Sequence, residues 1–210
     1  PGWTLPGVMT VGAAQTLLKS SGLVPDGRIA VAGSGPLLYL YVSQLIKAGK
    51  NPQVILDTRP RASLQAKLSV LAALTVDPAS MFRGLGWMRE VRREVRVRER
   101  VHRLRADGVE KLSRISYESC GRQFTDEVDL LLVHDGVIPN TWLAMSAGCR
   151  HHWHVQQRCW VPAITGVGQT TRQSVSVVGD AAGIIGADAS ILQGEAVARE
   201  VIACLEGTQQ

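Results

Sequence analysis

The stretch from Gly27 to Thr58, GRIAVAGSGPLLYLYVSQLIKAGKNPQVILDT, decides the architecture of this 210-residue chain. Ile29 to Gly33 is an unbroken run of small and apolar residues, as in strands buried on both faces of a parallel sheet. Gly33-Ser34-Gly35 is a tight turn, and Pro36 falls at the first position of the helix that follows, where its missing N–H is harmless. Leu38, Val42 and Leu45 recur at helical spacing until Gly49 stops the helix. PQVILDT, Pro52 to Thr58, is a second buried strand with Asp57 at its end. Strand, glycine turn, helix, strand and terminal acid together make a βαβ unit.

A glycine turn that opens a helix offers free backbone N–H groups and the positive end of the helix dipole, which suits a pyrophosphate. In the GxGxxG pattern the first glycine permits the turn and the second lets the backbone approach the phosphates. The third only eases helix–strand packing. Gly33 and Gly35 occupy the first two positions and Leu38 the third, so the two ligand-side contacts are kept and the helix is expected to sit slightly further from the sheet. Ser34, Pro36 and Leu37 complete this candidate nucleotide slot. Asp57, 22 residues after Gly35, is placed to accept from a ribose 2′-hydroxyl, which favours NAD. Arg59 is placed to pair with a 2′-phosphate instead, so NADP stays open. So do another adenine nucleotide such as ATP, held structurally, and an idle slot.

Outward from this unit, Gly12 to Gly22 reads as a short helix ended by a C′ glycine. A longer helix is expected with Leu64, Leu68 and Leu71 on one face, ended by Asp77-Pro78, and a second helical stretch from Met81 to Arg93. In EVRVRERVH, Glu94, Arg96, Arg98, Arg100 and His102 alternate with Val95, Val97 and Val101, which predicts one strand with a wet face. Val109 to Glu118 is its expected antiparallel partner through the turn ADG. Leu130 to His134 closes the unit as a buried strand. The expected fold class is α/β, a Rossmann-like parallel sheet with an antiparallel β-meander insertion.

After Gly136 the composition shifts to an irregular stretch rich in Trp and His, then an expected strand SVSVVGD, Ser174 to Asp180, and a final helix from about Ala187 to Leu205. This divides the chain into residues 1–136, an NAD(P)-binding-like domain with its entry segment, and residues 137–210.

Hydrophobic residues at 45% and charged residues at 20% describe an ordinary globular chain with a sizeable core. Apolar runs end well short of the roughly 18 residues a membrane helix needs, and the start PGWTLPGVMT lacks signal-peptide character. Four cysteines without a CxxC pair point to a reducing, cytoplasmic setting and away from dithiol chemistry. The net charge of +5 resides between Arg89 and Arg105, where eight arginines face three glutamates. No aromatic interleaves them, so a solvated strand face or a partner contact is expected, not nucleic acid. Cys149, His151, His152, His154 and Cys159 fit no standard zinc spacing, and no metal is expected. No Ser/His/Asp hydrolytic set suggests itself.

With the tail included, the pattern resembles the flavoproteins of the pyridine-nucleotide-disulfide-oxidoreductase type. TTRQSVSVVGDAAG, Thr170 to Gly183, is similar to their second flavin motif. VHDGVIPNT, Val133 to Thr141, resembles the crossing from the NAD domain back into the FAD domain, with Gly136, Pro139 and Asn140 matching. Four stretches together look like the FAD-containing subunits of opine oxidase, hydrogen cyanide synthase and sarcosine-oxidase-like amine dehydrogenases: Gly2–Arg28, Ala32–Leu38, His134–Cys149 and Gln157–Thr170.

The resemblance implies that residues 137–210 are the C-terminal part of an FAD-binding domain. Asp180, after Gly179, would hydrogen-bond the flavin ribityl chain, and the helix N-terminus near Gly183 and Gly186 would face the pyrophosphate. It also implies oxidation of an amine or amino-acid derivative such as an opine, electrons passing to FAD, and a catalytic partner subunit; a homo-oligomer is compatible. His134 would stand at the flavin–nicotinamide crossing, where it could tune flavin charge or relay a proton; the plain alternative is a satisfied histidine at a strand end. The family carries an earlier GxGxxG for the ADP half of FAD, and this chain has one such loop, in the NAD-domain position. The expectation is a fragment short of about 100 N-terminal residues, one mononucleotide half, inactive alone and weak in FAD binding.

Overall fold

The computed structural model describes residues 1–60 and 78–207. The chain divides into two compact units, Pro1–Gly136 and Val137–Gln210. The expected helix bearing Leu64, Leu68 and Leu71 lies outside the described residues.

In the first unit, β1 (Val8–Thr10) leads into α1 (Val11–Ser21), capped by the Thr10 hydroxyl accepting from the Ala13 N–H at 3.1 Å and ended by left-handed Gly22. β2 (Ile29–Gly33), α2 (Pro36–Lys47) and β3 (Val54–Asp57) form the βαβ unit read from the sequence. Beyond the undescribed segment come α3 (Pro78–Glu94), β4 (Val97–Arg98), β5 (Val101–Asp107), β6 (Arg114–Ser119), β7 (Arg122–Glu127) and β8 (Leu130–His134). Five strands pair in parallel in the order β1-β8-β2-β3-β4, while β5-β6-β7 is a separate antiparallel meander. A parallel sheet with an antiparallel insertion is the expected fold class, and it is the one found.

Strand alternation sets the layers, because successive side chains point to opposite faces. Ile29, Val31, Ile55 and Leu132 join Leu38, Val42 and Leu45 of α2 and Val91 of α3 in one buried cluster. Ala30, Ala32, Val54, Leu56 and Leu131 turn the other way and meet Val101, Ile115 and Tyr117 of the meander. The sheet is therefore covered by helices on one face and by the meander on the other, and its middle strands stay apolar until their carboxyl ends.

Three local expectations need correction. The single basic strand over Glu94–His102 does not form. The helix runs to Glu94, β4 joins the parallel sheet beside β3, and Arg100 at φ 55° turns the chain into the meander. Its valines alternate as a strand would, yet they serve different layers, Val95 and Val97 on the helix side and Val101 on the meander side. The partner strand starts at Arg114 and not at Val109. Leu112 is buried and its N–H donates to the Pro6 carbonyl at 2.8 Å, so residues 108–113 are an anchored loop with Val109 fully exposed at its tip.

The third correction is in the second unit, which comprises α4 (Trp142–Ser146), the hairpin β9 (His151–His154) with β10 (Cys159–Pro162), the small ladder β11 (Ile164–Thr165) with β12 (Gln169–Thr170), and α5 (Ala187–Gly207). Trp153 and Trp160 pair edge-to-face across the hairpin at 5.8 Å. Ser174 to Asp180 is not a strand. A strand needs a continuous ladder with at least one neighbour, and among the described residues this segment has one bridge, Ser176 to Gln169, while Val175 and Val177 donate to the carbonyls of Arg172 and Gly168.

Candidate functional site

The glycine turn is held from two sides. β2 and β8 are in register, with Gly33 opposite His134. The Ser34 N–H donates to the His134 carbonyl at 3.1 Å, and the Thr58 N–H at the end of β3 donates to the Gly33 carbonyl at 2.9 Å. Chain direction leaves β2 toward β3, while β8 lies on the other side of β2, so the strand order reverses at this point. Ligands of open α/β sheets bind beyond the carboxyl ends of the strands at such a reversal.

The two glycines have different reasons to be there. At Gly33, φ 143°, a β-carbon would lie 1.8 Å from the His134 carbonyl oxygen. Its absence serves the close approach of β8. Gly35, φ 91°, is the N-cap of α2, and a β-carbon there would meet no described atom within 4 Å. Among the described residues nothing obstructs this position in front of the helix N-terminus, and Pro36 is at the first helical position as the sequence implied. Leu38, in place of a third glycine, is fully buried under α2.

Asp57 sits at the end of β3 but is only 3% exposed. Its Oδ2 accepts from the Tyr39 hydroxyl at 2.7 Å and from Arg59 Nη2 at 2.5 Å. Its Oδ1 accepts from the Arg59 backbone N–H and from Arg59 Nε, each at 3.0 Å. Burial pushes the carboxyl pKa up, and the Arg59 and Tyr39 hydrogen bonds together outweigh it, so the net shift is downward. Burial first, and then donation to Asp57, pushes the Tyr39 phenol up to about 12. The structure thus brings Asp57 and Arg59 together as a closed pair, and Tyr39 is the third member. Sequence alone reads Tyr39 as plain core; the signal for more is a phenol in the first turn after the glycines, whose hydroxyl needs a partner once buried.

Replacing Asp57 by asparagine is expected to lower stability by about 1–3 kcal/mol, because buried donors on Tyr39 and Arg59 lose a charged acceptor. The lower part of that range applies, since the Arg59 side chain is 43% exposed. Asp57 has a lower pKa folded than unfolded, so its contribution is present above the ordinary carboxylate pKa and is lost as pH falls through the folded value. Urea unfolding of both proteins across pH should show the gap closing below about pH 4.

His134 uses its backbone to brace the turn. Burial lowers its imidazole pKa against the opposing charge of Asp135, favouring the neutral ring. Gly136, the next matched residue, has φ 119°.

In the second unit, Gly179 opens a short 3₁₀ turn and its N–H donates to Gln193 Oε1 at 2.8 Å. Asp180 Oδ1 accepts from the N–H groups of Ile185 and Gly186, both at 3.0 Å, which folds the Gly183–Gly186 loop ahead of α5. Gln157 clamps the same loop by donating to the Ile184 carbonyl at 3.0 Å and accepting from its N–H at 3.2 Å. Gln157 opens one of the stretches that carry the resemblance, but no local signal in the sequence gives its side chain this role. His151 Nδ1 lies 2.9 Å from the Cys149 carbonyl, and His154 Nδ1 accepts from the Gln157 N–H at 3.1 Å. Among the described residues no three His, Cys, Asp or Glu side chains cluster to hold a metal.

Four of the eight arginines of the basic segment are held in ion pairs. Arg92 pairs with Glu99, Arg96 with Asp126, Arg103 with Glu118 and Arg105 with Asp107.

A parallel sheet between helices and an antiparallel meander, with a glycine turn at its strand-order reversal, is the fold of the FAD/NAD-binding flavoprotein reductases. A thioredoxin reductase of Lactococcus lactis superposes with a TM-score of 0.57 at 12% identity, over 89% of this chain and 55% of that one. The HOCl-induced flavoprotein disulfide reductase RclA of Escherichia coli gives 0.55 at 19%, over 94% and 40%. In sequence the chain is 37% identical to an opine oxidase subunit from Agrobacterium tumefaciens over 206 residues, 98% of this chain and 41% of that protein. It is 28% identical to the hydrogen cyanide synthase subunit HcnB of Pseudomonas aeruginosa over 229 residues, 96% of this chain and 45% of that protein. No protein-family model matches. The resemblance read from the motifs is therefore borne out: the chain is a relative of these oxidoreductase subunits, and it spans less than half of their length.

Proposed function

We propose that this chain supplies the NAD(P)-type nucleotide slot and the second flavin motif of an FAD-dependent oxidoreductase that oxidises an amine or amino-acid derivative such as an opine. The observation that carries the proposal is the space that the described residues leave open in front of Gly35, at the N-terminus of α2 and beyond the paired ends of β2 and β8. Ser34, Gly35, Pro36 and Leu37 would receive the pyrophosphate, with Gly33 setting the turn. Arg59, held in place by Asp57, would face the adenine ribose. Gly179, Asp180 and Gly183 fit the flavin role insofar as Asp180 already orders the loop ahead of α5. Bound flavin supplies the electron-accepting chemistry, and the residues of this chain hold and orient it. Kinship with named subunits of larger enzymes supports a catalytic partner subunit. No helix of the described residues is long and apolar enough to cross a membrane. Cys120, Cys149 and Cys159 are free thiols, which fits a reducing, cytoplasmic setting.

A second reading is a non-catalytic adenine-nucleotide module, since the closed Asp57–Arg59 pair withholds the carboxylate that marks an NAD slot. Thermal unfolding with NAD, NADP, ATP and FAD, each titrated alone, separates the two. A ligand at about 100 times its dissociation constant adds ~2.7 kcal/mol, on the order of 5–10 °C for a chain of this size. A shift with a dinucleotide supports the first reading, and a shift with ATP alone supports the second. No shift with any of the four removes the slot.

A further inference from the structure

We infer that the ribose end of this slot selects a 2′-phosphorylated adenosine over one with a free 2′-hydroxyl, with Arg59 as the specificity-determining residue. The inference rests on the reading of the glycine turn as a nucleotide slot. A 2′-hydroxyl is recognised by a carboxylate with a free oxygen lone pair at the end of the second strand. Asp57 stands at that place, yet its side chain is 4% exposed and both oxygens are taken, by the Tyr39 hydroxyl, the Arg59 N–H and the Arg59 guanidinium. What the strand end presents to solvent is the guanidinium, with its side chain 43% exposed.

Its orientation is set from beneath. Nε and Nη2 face Asp57, Nη2 also donates to the Tyr39 hydroxyl at 3.3 Å, and the group lies 5.6 Å from the Tyr39 ring centre. Among the described residues Nη1 is bonded to neither Asp57 nor Tyr39, so its two N–H groups lie outside this cluster. A guanidinium so anchored gives a charge-assisted bond to a phosphate oxygen and little to a neutral hydroxyl. Arg92 adds a second positive group that interacts with the Tyr39 hydroxyl, itself paired with Glu99 at 2.5 Å.

Calorimetric titration of this chain with adenosine 2′,5′-bisphosphate, adenosine 3′,5′-bisphosphate and 5′-AMP tests the inference without the nicotinamide or flavin. The 2′,5′ isomer is expected to bind roughly tenfold or more tightly than 5′-AMP, a difference of one charge-assisted contact. The 3′,5′ isomer carries the same charge and is expected to fall well behind it. Arg59→Ala should erase the preference and Arg59→Lys restore part of it. If loss of Arg59 leaves Asp57 buried and unfolds the chain, Asp57→Asn/Arg59→Ala removes both charges and should bind the bisphosphate and 5′-AMP alike. Equal affinity of the wild-type chain for 5′-AMP and the 2′,5′ isomer overturns the inference and leaves the slot standing. Equal affinity for the two bisphosphates does the same, since charge alone then suffices. No binding of any of the three overturns the inference and the slot together.

Discussion

Gly33→Ala is expected to destabilise the first unit by about 3 kcal/mol or more, because it combines overpacking with a backbone conformation that suits glycine. The new β-carbon would fall 1.8 Å from the His134 carbonyl oxygen, and 3.0 Å from the His134 N, both backbone atoms that no rotamer change can move aside. The only relief is to separate β2 from β8, which breaks the Ser34 N–H to His134 bond and the pairing of Gly33 with His134. Those are the contacts that set the turn. The variant should therefore lose both several degrees of unfolding midpoint and any nucleotide-induced shift. Gly35→Ala is the informative contrast. It meets no described atom and carries only the strain of φ 91°, so its fold should survive while ligand approach is obstructed. A Gly33→Ala protein as stable as wild type would show that β8 does not brace the turn.

Leu132→Ala is expected to lower stability by about 2–5 kcal/mol, the range for truncating a fully buried leucine. Leu132 lies in β8 between Met9 of β1 and Val31 of β2, with no exposed surface, and faces the cluster under the helices. Strand backbones on both sides limit the collapse that would shrink the cavity, which favours the upper part of the range. Urea unfolding followed by circular dichroism measures it. Val109→Ala, at a side chain 98% exposed, is the control and should stay within about 0.5 kcal/mol of wild type. A Leu132→Ala effect as small as that of Val109→Ala would mean that the core of the sheet lies elsewhere.

The two experiments bear on different links. Leu132 tests the layer architecture alone, whereas Gly33 tests whether the architecture also sets the ligand-facing turn. The nucleotide titrations then ask what that turn holds, and the Arg59 series asks which ribose it prefers.

Local pattern in the chain was sufficient for the elements whose signal is short-range and redundant. Ile29–Gly33, Pro36–Lys47, Val54–Asp57 and Leu130–His134 are each marked by continuous apolar runs or helical spacing with a clear stop, and each forms where the pattern places it. The glycine turn with Pro36 was legible for the same reason, and four dispersed motifs were enough to point to the relatives that sequence comparison then found. Long-range pairing decided the rest. Alternation in EVRVRERVH says that valines are buried but not against which layer, so the break at Arg100 between two sheets was invisible. SVSVVGD has strand composition, yet a strand exists only where neighbours complete its hydrogen bonds. Asp57 and Arg59 read as two alternative ribose contacts, and folding the chain joins them into one hydrogen-bonded pair with Tyr39. A carboxylate's role depends on which donors the fold brings within about 3 Å of it, and those distances are a property of the packed chain.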